Sequence, residues 1–283
     1  MCIRDRQWTA DEANLVVGLK GLVGAEITVT GASGDLHSGL HGGAIANPLQ
    51  ALAQILASMK GADGRITVAG FYDDVTELTD EDRAEIARVP FDEAAYKAAI
   101  GVPEVFGEAG YTTRERNWAR PTLELNGMWG GYQGDGSKTV LPNMAHAKIT
   151  CRLVANQTPD RVFALIAEHL ARHTPVGVTA SVKRLQGSAE PYAMPRNHNG
   201  GEVAREVLSE VYGAAPYVTR LGGSIPVVSI FLAELGVHTT MFGFSIDDEN
   251  LHAPNEFFRL RNFERGQQAY CRLLERLAVD GLR

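Results

Sequence analysis

Near its C-terminal end the chain reads "DDENLHAPNEFFRL", with His252 alone between three acidic residues and the run "HAPNE". A loop histidine of this kind can ligate a metal or polarise a carbonyl. Zinc takes about four ligands, at least three of them from protein, so His252 needs partners from elsewhere in the chain. A second candidate stretch, "GDLHSGLHGGAIANP", holds His37 and His41 four residues apart. Its glycines argue against a helical two-histidine metal motif. It reads either as a Gly-rich turn or as a loop whose backbone approaches a ligand, with His37 presented as a donor. A third, "TRLGGSIP", places Ser224 and Pro226 where a helix begins. Ser224 reads as an N-cap, and the free N–H groups behind it would also suit a substrate carboxylate. Arg220 and Arg152 are candidates to grip that carboxylate in bidentate fashion.

The remaining histidines carry less. His169 and His173 share a helix face without the glutamate of a helical zinc motif, and read as surface residues near its C-terminus. His146, His198 and His238 have no evident partners. Asp247, Asp248 and Glu249 read as a solvated loop that tunes His252.

Positioning these groups requires elements, and the hydrophobic pattern supplies them. "LVGAEITVTG" (22–31), "RPTLELNGM" (120–128), "HAKITCRLV" (146–154) and "VGVTASVKRL" (176–185) read as strands. "NPLQALAQILASMK" and "TPDRVFALIAEHLARH" read as helices opened by Asn47-Pro48 and Thr158-Pro159. The order is β-α-β-β-α-β, the ferredoxin-like split motif. A segment over 62–119 is inserted between the first helix and the second strand, and reads as partly helical and surface-lying. Beyond it, "EVAREVLSEVYG" reads as a helix ended by Gly213. "TRLGGSIPVVSIFLAELG" reads as a loop entering a helix, "VHTTMFGF" (237–244) as a buried strand, and "RNFERGQQAYCRLLERL" as the last helix. One strand cannot make a sheet, so this C-terminal part needs strands from elsewhere, and only about twenty residues precede Leu22 to supply them. The expected division is a remnant of a catalytic domain over 1–21, a domain over 22–187, and the C-terminal part of the catalytic domain over 188–283.

Bulk composition narrows the function classes. The chain has 283 residues, 45% hydrophobic and 22% charged, which are values for a globular protein with a real core. A net charge of -7 without a basic patch argues against nucleic acid. No apolar run is long enough to span a bilayer, and "MCIRDRQWTADEANL" lacks the apolar core of a signal peptide. Cys2, Cys151 and Cys271 are odd in number and far apart, as expected of reduced thiols in a cytoplasmic protein.

Taken in order, "DLHSGLHGGAIANP", "GFYDDV", "RPTLELNG", "SKTVLPNMAHAKITCRLV", "TRLGGSIPV" and "DDENLHAPNEFF" resemble the two-zinc exopeptidases, in particular the carnosinase-like, cytosolic non-specific dipeptidases. The resemblance covers nearly everything after Trp8. It implies a fold of mixed class, α/β and α+β: a ferredoxin-like dimerisation domain set into a zinc-exopeptidase α/β catalytic domain. It implies a homodimer formed through 22–187, a small peptide substrate, and metal-assisted hydrolysis. In such enzymes two zinc ions activate a bridging water, with manganese or cobalt as possible substitutes, and a glutamate acts as general base. By position, His252 matches a zinc ligand beside the substrate. His37 matches the catalytic histidine that enters the partner subunit's site and stabilises the tetrahedral intermediate. Thr139, Arg152 and Ser224 match substrate contacts.

The departures are as informative. The family's first zinc histidine, bridging aspartate and Glu-Glu pair have no counterpart here. A further aspartate ligand ahead of Trp8 falls on Arg4 or, with shorter spacing, on Asp5. Leu221 stands where many relatives carry Glu. The chain is therefore expected to be a fragment that lacks most metal ligands and the general base, with at most trace hydrolysis on its own. The alternatives are a non-catalytic dimerisation or binding module, and a related N-acyl amino acid deacylase or carboxypeptidase.

Overall fold

The computed structural model describes residues 7–246, 248–250 and 253–280. Nine strands lie among them: β1 (Asn14–Leu19), β2 (Gly21–Thr30), β3 (Leu36–His37), β4 (Thr122–Gly130), β5 (Val140–Leu141), β6 (Met144–Leu153), β7 (Thr179–Arg184), β8 (Tyr192–Ala193) and β9 (Tyr217–Leu221). The helices are α1 (Ser38–His41), α2 (Pro48–Ala57), α3 (Asp80–Ala87), α4 (Glu93–Ile100), α5 (Thr113–Ala119), α6 (Pro159–His173), α7 (Asn199–Tyr212), α8 (Pro226–Leu235) and α9 (Leu260–Asp280).

The largest sheet has the order β4-β6-β2-β7, antiparallel throughout. With α2 and α6 as crossovers this is the expected ferredoxin-like arrangement. The caps are those read from sequence. The Asn47 side chain accepts from Leu49 N–H and Thr158 from Arg161 N–H, each followed by proline at the first helical position. Alternate residues of β2 and β6 (Val23, Ala25, Ile27, Val29; Ala145, Ala147, Ile149, Cys151) bury one face against Leu52, Ile55, Val162 and Ile166. Each fully buried Ile or Leu here contributes about 1.5–3 kcal/mol.

The segment over 62–119 is helical in part, as expected, but it does not simply lie on the surface. Ile66, Val68 and Phe71 enter the main core. Arg120, 1% exposed, closes the segment's far end. Its Nε and Nη2 each donate at 2.9 Å to the Glu108 carboxylate, its Nη1 reaches Glu77 at 3.2 Å, and its guanidinium lies over Tyr111. A long insertion can be anchored this way because a bidentate charge-assisted pair satisfies both buried ions.

The second sheet has the order β8-β1-β9, with β1 and β9 parallel. Residues ahead of Leu22 therefore do supply a strand. Leu15 faces Ala204, Leu208, Phe242 and Ala269, while Val16 faces Tyr192, Met241 and Val228. A strand buried on both faces reads as a continuous apolar run rather than an alternating one. Two readings are corrected here. Tyr217–Leu221, taken partly as loop, is strand β9. The run 237–244, taken as a strand, is extended but forms only an isolated bridge from Met241 to Val16. The edge of β1 that it approaches is shared with β8, which takes Gly18 and Leu19. No helix among the described residues is long and apolar enough to cross a membrane.

Candidate functional site

The predicted residues assemble as two separate pairs. In the first, β3 and β5 form a two-stranded ribbon that sets His37 opposite Val140, and Ser38 N–H donates to the Thr139 carbonyl at 3.0 Å. His37 is exposed, and its Nδ1 accepts from Gly39 N–H at 3.0 Å. A neutral imidazole with an accepting Nδ1 carries its proton on Nε2. In that tautomer the exposed ring has Nε2–H as its donor. A Cβ at Gly39 would stand 3.0 Å from the imidazole Cε1, so the ring would have to shift slightly to admit a side chain there.

In the second pair, Arg152 near the end of β6 donates from Nη1 to Ser224 Oγ at 3.1 Å. Ser224 in turn donates to the Lys20 carbonyl at 2.5 Å. Ser224 is therefore not the N-cap of α8. That position is Ile225, which makes no side-chain capping bond. The hydroxyl is turned instead toward the junction of β1, β6 and β9. Arg220 does not join Arg152 in a carboxylate clamp, because its Nη2 is bound to Asp82 of α3 at 2.9 Å. Asp82 also pairs with Arg196. Burial raises the Asp82 pKa, but bonds from Thr79, Arg196 and Arg220 outweigh it and hold it at about 2.

The two pairs stand at opposite ends of the large sheet. Thr30 pairs with Met144 at the His37 end, and Leu22 with Arg152 at the other. At about 3.4 Å per residue, the eight residues from Met144 to Arg152 separate the ends by about 27 Å.

Sequence reasoning missed Lys20 and Glu249. Lys20 is 3% exposed, its Nζ donates to the Arg116 carbonyl at 3.0 Å, and its backbone N–H and C=O bind Leu221 and Ser224. Burial, followed by the charges of Arg152 and Arg120, lowers its pKa to about 7. A single cation between two apolar runs, in "VVGLKGLVG", was the available signal. Glu249 was read with its neighbours as solvated, yet it is 0% exposed. Its carboxylate accepts from Ile246 N–H at 3.0 Å, Arg259 N–H at 3.2 Å and Arg259 Nη1 at 3.3 Å. It clasps the two ends of the loop that carries His252. His252, Asp5, Arg4 and Asp247 themselves lie outside the described residues.

His169, His173 and His146 make packing and hydrogen-bond contacts, and His198 lies edge-on to His238. His169 is 3% exposed and not a surface residue. It lies on the inward stripe of α6 with Val162, Ile166 and Leu170, its Nε2 bonds Ser58 Oγ at 2.8 Å, and exposed His173 stacks on it. His146 bonds Thr28 and stacks on Trp129. The buried Cys151 thiol is free, with its pKa pushed up to about 12 by burial and then by Glu124, so it is inert as a nucleophile.

Among the described residues no group of three or more His, Cys, Asp or Glu converges as a metal site. What those residues do form is a polar junction at Arg152 and Ser224 and an exposed imidazole at His37.

Comparison with known proteins places the chain in a family. Residues 17–178 match the family described as the peptidase dimerisation domain. A Cys-Gly metallodipeptidase of Schizosaccharomyces pombe is 30% identical over 290 residues, covering 98% of this chain and 59% of that protein. The Beta-Ala-His dipeptidase of Rattus norvegicus is 26% identical, covering 95% of this chain and 55% of its own length. The chain thus spans under three-fifths of the curated relatives it matches. Among solved structures, a metallo-carboxypeptidase from Sulfolobus solfataricus superposes with a TM-score of 0.75 at 30% identity, over 95% of this chain and 61% of that one. The di-peptidase Dug1p from Saccharomyces cerevisiae does so with a TM-score of 0.72 at 25% identity, over 95% and 57%. With its relatives in the dipeptidase branch of these metallopeptidases, the chain belongs to the peptidase dimerisation domain family.

Proposed function

We propose that this chain serves zinc-dependent hydrolysis of dipeptides, as a homodimer in which each copy lends His37 to the other's site. The observation that carries the reading is the joining of Arg152 to Ser224 at the end of the sheet far from His37. Arg152 and Ser224 receive the substrate's carboxylate, with the uncapped start of α8 adding its N–H groups. Across about 27 Å of sheet, His37 of the same chain cannot attend that carboxylate. A second copy, docked through the 22–187 half, brings His37 and Thr139 in. The Nε2–H of His37 then donates to the developing oxyanion. Bound zinc would supply a Lewis acid and an activated water. The described residues do not by themselves make a centre for it. His252 is the proposed ligand, on the loop that Glu249 clasps. The matched relatives point to Cys-Gly and β-Ala-His as first substrates to try.

Elemental analysis of the purified chain, paired with a hydrolysis assay, tests this. At most trace zinc-dependent turnover of the chain by itself, reduced further in His252→Ala, is the expected outcome, because the described residues hold no three-ligand group. Mixing His37→Ala with Arg152→Ala chains should then restore about a quarter of the activity, because half the dimers are mixed and each mixed dimer has one intact site. A chain with neither zinc nor turnover overturns the enzymatic reading for this molecule. It favours a non-catalytic dimerisation and carboxylate-binding module, the reading suggested by the lack of a three-ligand group among the described residues.

A further inference from the structure

A cavity of about 210 Å³ lies where β1, the insertion and the end of β6 meet; it adjoins the Arg152–Ser224 junction through Lys20, but neither Arg152 nor Ser224 lines it. Lys20 and Arg220 both line it, together with the carboxylates of Glu77 and Asp82. Its apolar wall includes Trp118, Val154 and Tyr192. The two carboxylates are already engaged. Asp82 is held by Arg196, Arg220 and Thr79, and Glu77 by Arg120 and Tyr111.

The two cations are not fully used. Lys20 has one acceptor, the Arg116 carbonyl, for its three ammonium hydrogens, and no carboxylate among the described residues lies within ion-pair distance of it. Arg220 Nη1 is buried with no hydrogen-bond partner. Buried donors without acceptors are rare and ask for a ligand or a water. From this geometry we infer that the cavity is a binding site for a small monocarboxylate, its head held by Lys20 and Arg220 Nη1 and its short apolar body against Trp118, Val154 and Tyr192.

Size and charge choose this class. The volume is below the roughly 300 Å³ at which drug-sized ligand pockets begin, which excludes nucleotides and peptides. Arg220 is already balanced by Asp82, so the uncompensated charge is that of Lys20 alone. One negative charge matches it, whereas a phosphate dianion overshoots it. The lowered Lys20 pKa, caused first by burial, is what an ammonium without a counter-ion shows. Gly18 makes room for the arrangement, because a Cβ there would stand 3.2 Å from Arg220 Cγ.

This site does not depend on dipeptide hydrolysis, and its test reads binding alone. The chain is labelled with carbon-13 at the lysine Cε, and the Lys20 titration is followed by NMR with added sodium isobutyrate. Isobutyramide and sodium chloride at the same concentrations serve as controls. The Lys20 resonance is identified by its loss in Lys20→Arg. The expected result is a saturable rise of the Lys20 midpoint by about one pH unit or more, a roughly tenfold preference for the charged form. Arg220→Gln should weaken isobutyrate about tenfold, and Ala155→Leu, which fills the cavity and leaves both cations, should abolish binding. An unmoved midpoint, or the same shift with isobutyramide or chloride, overturns the site. So does undiminished binding to both variants.

Discussion

Replacing Glu249 with alanine removes the carboxylate that joins the two ends of the His252 loop. Three bonds go at once: Ile246 N–H at 3.0 Å, Arg259 N–H at 3.2 Å and Arg259 Nη1 at 3.3 Å. Ile246 is 5% exposed, so its amide finds no water when the acceptor leaves. A buried donor left unsatisfied costs about 1–3 kcal/mol. Arg259 is half-exposed and partly rehydrates, and it keeps Asp248 as a partner. Its share is therefore at the low end, and the sum comes to about 2–4 kcal/mol. Glutamine keeps one acceptor oxygen and should cost about half as much. Amide hydrogen exchange reads the effect locally. A loss of about 2–4 kcal/mol speeds exchange at Ile246 roughly thirty- to a thousandfold, at about 1.4 kcal/mol per tenfold. Amides of β2 and β6, in another core, should keep their rates. If Ile246 exchange in Glu249→Ala stays within about threefold of the parent, the carboxylate does not hold the loop and the reasoning fails.

Three further outcomes follow from the fold. Arg120→Leu leaves the Glu108 carboxylate, 7% exposed, with Arg65 alone as ion-pair partner among the described residues, and should cost about 3 kcal/mol in urea unfolding. The doubly substituted Arg120→Leu, Glu108→Leu should recover much of that loss. Burial first, then the charges of His173 and Arg172, lower the His169 pKa from 6.5 to about 4. The unfolded chain then binds more protons than the folded one between those values, so His169 makes stability rise with pH from about 4 to about 6.5. His169→Gln should flatten that part of the stability profile. At Gly21 an added Cβ would meet the Ala189 carbonyl at 2.6 Å and Pro191 N at 2.7 Å. Backbone cannot yield cheaply there, so Gly21→Ala should lower stability by about 1–3 kcal/mol, seen as a lower urea midpoint with an unchanged slope.

Pattern and capping chemistry carried the large sheet, because both are local. Alternation along 22–31 and 146–154, with Asn47-Pro48 and Thr158-Pro159 as helix starts, sufficed for strands, helices and their order. The inward stripe of α6 was equally legible, and His169 was misread by setting the i, i+4 histidine pair above the apolar spacing on which it falls. The second sheet was less legible for a different reason. The run 237–244 has the composition of a strand, but ladder pairing depends on a free partner edge, and β8 already takes part of that edge of β1. Tyr217–Leu221 carries polar side chains at Thr219 and Arg220, and is a strand because β1 lies beside it.

For the site, residue types and their setting determined the candidates: His37 in its glycine loop, Thr139, Arg152, Ser224 and His252. Tertiary structure alone decided which of them meet. It joined Arg152 to Ser224 across seventy-two residues of chain and set His37 at the other end of the sheet. It also turned Arg220 away to Asp82, buried Lys20 without a counter-ion among the described residues, and drew Glu249 out of an acidic run into a buried position. A sequence fixes the charge a residue carries. Whether that charge is solvated, paired or stranded depends on which distant segments fold against it, and burial is what converts the difference into energy.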